Sequence, residues 1–76
     1  MEIQDFIKNF CEQFDEEVEG LTPDSRFREL EQWSSLTALN VLAMISEEFE
    51  VDLNPDEMRN IETIQELFNL VKSKLI

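Results

Sequence analysis

Between Ile3 and Phe14 the apolar residues Ile3, Phe6, Ile7, Phe10 and Phe14 recur at helical intervals. That spacing gathers them on a single α-helical face roughly 100° wide. Acids and amides fill the other positions, so residues 2 to about 15 are predicted as a surface helix with one buried side. Cys11 lies at the edge of that side, where a small packing residue is expected rather than a redox group. From residue 16 to 33 the periodicity lapses. Gly20 and Thr22-Pro23-Asp24 are turn signals, and Leu21, Phe27, Leu30 and Trp33 stand isolated. This is a long connection by ordinary loop statistics. Phe27, Leu30 and Trp33 are expected to pin it down, because a free loop gains nothing from three large apolar side chains.

From Ser34 or Ser35 to about Phe49 nothing breaks a helix. Ala38, Val41, Leu42, Ile45 and Phe49 fall in one sector of this segment, again roughly 100° wide. Leu36, Leu39 and Ala43 form a second stripe on a different side. Either this is the central, most enclosed helix, or the second stripe stays accessible and meets partner proteins. Asn54-Pro55-Asp56-Glu57 then supplies an N-cap, a proline at the first helical position and a glutamate three residues after the cap. A short helix or turn is expected there, ending before Asn60, with Asp56 and Glu57 in its positive first turn. Thr63-Ile64-Gln65-Glu66 is a capping box for a last helix. In that helix Ile64, Leu67, Phe68, Val71 and Leu75 share one stripe, and Lys72 and Lys74 complement the negative end. The expected fold is all-α, a small four-helix bundle with three main helices, one short helix and a long loop between the first two. Residues 1–76 read as a single domain.

Composition narrows the function. Eighteen acids against six bases and no histidine give a formal charge of −12. Nucleic acid and anionic lipid are therefore repelled and basic partner surfaces favoured. Without histidine there is no Ser-His or Cys-His pair, and zinc lacks its usual ligands. One glycine excludes a Gly-rich phosphate loop. Asp52, Asn54 and Asp56 begin with the spacing of a calcium loop, but Glu57 stands at the required glycine and Thr63 at the required carboxylate. No run approaches the roughly 18 apolar residues of a membrane span, and Met-Glu-Ile-Gln-Asp does not read as a secretory signal. A lone Cys11 makes no internal disulfide and suits a reducing cytoplasm. The chain is expected to perform no chemistry of its own and to insert in no membrane.

With catalysis set aside, a covalent attachment point is the next chemistry to seek. In Trp33-Ser34-Ser35-Leu36, Ser34 can cap the central helix by accepting from backbone N–H groups two or three residues on. Trp33 and Ala38 then stand where a hydrophobic staple would place them. Ser35 becomes the first helical residue, its hydroxyl not needed for capping. An anionic group attached there would lie beside unpaired N–H groups at the positive helix end, a gain of about 0.3–1 kcal/mol. The alternative is that both serines serve the helix start alone. Physics makes the site fit for an anionic modification without selecting one.

The chain resembles the acyl carrier protein family over nearly its whole length, from the helix at Ile3–Phe14 to the capping box at Thr63. The most similar stretch is Phe27-Arg28-Glu29-Leu30-Glu31-Gln32-Trp33-Ser34-Ser35-Leu36, followed by Ile45-Ser46-Glu47-Glu48-Phe49-Glu50-Val51-Asp52-Leu53. It looks like the branch whose attachment motif reads Trp-Asp-Ser-Leu. The resemblance implies a non-enzymatic carrier that holds acyl intermediates as thioesters on a 4'-phosphopantetheine arm, donated by coenzyme A and attached to Ser35. Ser34 is the competing attachment residue. It further implies that Leu36, Leu39 and Ala43, with Glu47, Glu48 and Glu50, meet a phosphopantetheinyl transferase and acyl-handling enzymes that carry basic surfaces. A cytoplasmic monomer is expected. Fatty acid, polyketide, aminoacyl and lipid-modification carriers all share this fold and its serine. One departure stands out, since Ser34 replaces the usual aspartate. Asn40 and Ser46 also occupy positions often acidic in fatty-acid carriers, so the partner-facing helix is less negative than is usual. The alternative function is an unmodified acidic interaction module that docks through Leu36, Leu39 and Ala43.

Overall fold

The computed structural model describes residues 2–14 and 18–75. Helix α1 (Ile3–Cys11) is shorter than its periodicity suggested. Gln13 N–H donates to the Phe10 carbonyl at 3.1 Å and Phe14 N–H to Cys11 at 3.3 Å, so the chain leaves the helix through tighter i→i−3 turns. Phe14 still reaches the core, only 8% exposed. The predicted end at about residue 15 lies outside the described residues. Burial raises the Cys11 thiol pKa above its ordinary value, and neighbouring Glu12 raises it further; that suits a packing role.

The loop is anchored, as its isolated apolar residues suggested. It turns at Gly20 (φ 77°), a left-handed conformation that glycine adopts freely. A single 3-10 turn at Phe27–Glu29 then drives Phe27 to 0% exposure. Phe27 packs against Trp33 with centroids 4.7 Å apart and edge-on to Phe10 at 5.5 Å. Trp33 in turn stacks on Phe10 at 6.1 Å. Leu30 and Trp33 pack partly buried against the same core.

Helix α2 (Ser35–Phe49) follows, capped by Ser34 and stopped at Glu50, which takes the left-handed conformation (φ 56°) usual for glycine. Its buried face is rotated from the expected sector. Thr37, Val41, Met44 and Ile45 are buried, while Ala38, Leu42 and Phe49 are only half-buried. Helix α3 (Pro55–Arg59) carries the full Asn54–Glu57 capping box. Helix α4 (Ile64–Leu75) buries Ile64, Leu67, Phe68 and Val71. Leu75, expected in that stripe, is instead 48% exposed, one turn beyond Val71, the last residue of the helix to reach the core.

Four α-helices, three of them long, thus make up the described residues, with α1 packed on both α2 and α4. Phe6 sits between Phe49 and Phe68, at centroid distances of 5.6 and 5.4 Å. Two side chains hold the short helix. Arg28 Nε donates to the Ile61 carbonyl at 2.7 Å and Nη2 to that of Met58, clasping the loop to the C-terminal end of α3. Lys74 Nζ meets Glu57 at 2.8 Å and bonds its carboxyl, which together with the Asn54 backbone bond holds that carboxyl below its usual range.

Candidate functional site

The serine pair at the start of α2 divides its labour. Ser34 Oγ accepts from Thr37 N–H at 3.2 Å and lies 3.1 Å from Thr37 Oγ1. Thr37 Oγ1 donates onward to the Gln32 carbonyl at 3.4 Å. This network offsets the cost of burying a threonine hydroxyl, and it occupies Ser34. Ser35 is exposed. Among the described residues its hydroxyl makes no hydrogen bond, and neither Ser35 N–H nor Leu36 N–H has an acceptor. The helix start therefore presents one free hydroxyl and two free amide donors together.

The second stripe of α2 faces outward. Leu36 and Leu39 are 59% and 58% exposed, and Ala43 is exposed beside them. The stripe lies opposite the rotated buried face. Glu47, Glu48 and Glu50 are exposed at the far end of the helix, about 18 Å along the axis from Ser35. The first turn carries no acid. Ser46 donates to Asp52 at 3.3 Å, so one residue of the abandoned calcium-loop pattern is engaged locally. Among the described residues no cluster of three or more candidate metal ligands forms.

A half-open cleft of about 540 Å³ begins at Ser34 and Ser35 and runs between α2 and α3. Its walls are mainly apolar: Trp33 from the loop, Ala38, Leu39 and Leu42 from α2, and Pro55 and Met58 from α3. Arg28 and Arg59 complete the lining. The half-buried positions Ala38 and Leu42 are explained by this cleft, which takes up the side of α2 that hydropathy assigned to the core. Pro55, Met58 and both arginines were missed by sequence reasoning. They come from segments more than 15 residues from Ser35 on one side, or across the loop on the other, and no local pattern joins them.

A family model described as the phosphopantetheine attachment site matches residues 4–71. The acyl carrier protein of Picosynechococcus sp. is 31% identical over 74 residues, covering 96% of this chain and 91% of that protein. The solution structure of holo acyl carrier protein from Geobacter metallireducens superposes with a TM-score of 0.79, covering 96% of this chain and 84% of the other. At 20% identity that last likeness speaks for the fold alone.

Proposed function

The chain belongs to the acyl carrier protein family, and from that premise we propose that Ser35 is where its 4'-phosphopantetheine arm is attached. The residues present fit the group. Ser35 offers an exposed hydroxyl, while Ser34 is spent on capping. The free N–H groups of Ser35 and Leu36 suit a phosphodiester at the positive helix end, a gain of about 0.3–1 kcal/mol. When attached, the arm supplies a terminal thiol that carries acyl groups as thioesters.

The protein's own residues supply an address, a tether point and a shelter. Tethering at Ser35 raises the effective concentration of cargo at each partner's site. The cleft walls of Trp33, Ala38, Leu42 and Met58 can cover an apolar chain. Leu36, Leu39 and Ala43 form the apolar part of the docking face, and Glu47, Glu48 and Glu50 its acidic end. Carriers of this family work with a phosphopantetheinyl transferase and acyl-handling enzymes. For this chain, basic patches on those partners would meet the acidic end, and the encounter would weaken with salt. Ser34 in place of aspartate is close to neutral as a cap, but it removes a carboxylate that a transferase could engage. Residues 1–76 act here as one carrier domain, which one continuous core among the described residues supports, and as a cytoplasmic monomer. No helix among the described residues is long and apolar enough to cross a membrane. The unmodified docking module is not favoured, because the family matched is defined by its attachment site.

The observation that carries the assignment is the contrast between an engaged Ser34 hydroxyl and a free Ser35 hydroxyl at the cleft mouth. Incubation with coenzyme A and a broad-specificity transferase should raise the intact mass by one arm. Ser35→Ala should abolish the gain. No gain on the wild type, or an undiminished gain on Ser35→Ala, would reject the assignment.

A further inference from the structure

The lining of the cleft is at odds with the charge of the chain. Eighteen of 76 residues are acidic and six basic, yet two of those six bases, Arg28 and Arg59, line the cleft that begins at Ser35, and among the described residues no carboxylate does. Apart from the two arginines and the two serines, the lining is apolar. Arg28 gives Nε and Nη2 to two neutral carbonyls, which use two of the five N–H donors of a guanidinium; among the described residues it forms no ion pair, although Glu29 and Glu62 border a smaller hollow beside it. Arg59 meets Asp56 at 3.2 Å, but both side chains are more than three-quarters exposed, and an exposed pair of that kind exchanges partners readily. A planar guanidinium presents the fork that binds a carboxylate through two parallel bonds.

From these observations the geometry points to a cargo class: acyl groups that are apolar along their length and end in a carboxylate, with the chain on the apolar wall and the carboxylate at Arg59 and Arg28. This rests on the Ser35 reading and deepens it. A methyl-ended acyl group of equal length would fill the same apolar lining but leave Arg28 and Arg59 with only their present partners. Arg28 also braces α3, so Arg59, which lies on the exposed face of that helix, is the residue to vary.

The apo protein would be converted with a broad-specificity transferase and three donors: coenzyme A, pentanoyl-coenzyme A and glutaryl-coenzyme A. Mass gain is read first, then amide shifts of Leu39, Leu42 and Met58, the Arg59 Nε signal, and thioester hydrolysis. The glutaryl form should shift the cleft amides and the Arg59 signal more than the pentanoyl form. Arg59→Gln should remove that excess and speed glutaryl hydrolysis roughly two- to fivefold, the range of one exposed ion pair, while Arg59→Lys retains part of the protection. Normal loading with equal shifts for both acyl groups, or with Arg59→Gln indistinguishable from wild type, overturns this inference alone. Shifts already complete in the unacylated form would assign the arginines to the arm's phosphodiester and likewise overturn it. No mass gain with any donor removes the Ser35 reading and this inference together.

Discussion

The N-termini of α2 and α4 both begin with a hydroxyl-bearing cap, Ser34 and Thr63, and end in opposite states. At α4 every early amide is used. Thr63 N–H donates to Glu66 Oε1 at 3.1 Å, and Glu66 N–H returns to Thr63 Oγ1 at 3.2 Å. Ile64 N–H reaches the Ser25 carbonyl at 3.2 Å and Gln65 N–H the Pro23 carbonyl at 2.8 Å, while Arg26 and Thr63 form an isolated antiparallel bridge. The loop thus closes the end of α4. At α2 the same loop stops short. Ser34 satisfies Thr37 N–H, and Ser35 and Leu36 keep theirs free. A closed helix end is structural, whereas an open one beside a free hydroxyl can take an anion. The difference is set by where the loop is anchored: Phe27 and Trp33 bury into the aromatic cluster and leave Ser35 outside it.

That anchoring is the first thing to break. Phe27→Ala should destabilise the fold by about 3–5 kcal/mol, the range for emptying a core phenylalanine site, measured by urea denaturation. It should loosen both helix starts at once. Next come the caps. Thr63→Ala and Ser34→Ala should each cost about 1 kcal/mol, while Ser35→Ala, exposed and unbonded, should stay within about 0.5 kcal/mol of wild type. If Ser35→Ala proved as costly as Ser34→Ala, the division of labour between the two serines would be wrong. The smallest expected effect concerns the clasp on α3. With its carboxyl held low by Lys74, Glu57 favours the folded state at pH values above the ordinary glutamate range, and this contribution is lost as pH falls through the lowered value. An NMR titration should find Glu57 protonating below the ordinary glutamate range, and Lys74→Met should raise it toward that range.

Much of this was legible in the sequence because capping is local chemistry. Ser34 announced a helix start by preceding an apolar helical run with Trp33 and Ala38 at staple spacing, Asn54 and Thr63 through a glutamate three positions on, and all three caps form. The stripe of Leu36, Leu39 and Ala43 was also readable as a second apolar side, but periodicity does not say whether such a side is enclosed or exposed; the fold leaves it outward. The orientation of α2 was not. Thr37 is polar by type, so hydropathy places it outside, yet it is 6% exposed because Ser34 and Gln32 satisfy its hydroxyl. Met44 is buried with it, and Ala38 and Leu42 are released to the cleft. The cleft depends on Arg28 reaching carbonyls 30 and 33 residues away, a contact that no periodicity encodes. Lying one turn past Val71, Leu75 kept the stripe's spacing while leaving the core.

Fragmentation mass spectrometry of the peptide spanning Trp33–Leu36, after loading of the wild-type protein, would locate the arm. The arm's mass should sit on residue 35, with residue 34 unmodified. A fragment series that places it on residue 34 would contradict the account, because the hydroxyl capping α2 would then be the reactive one.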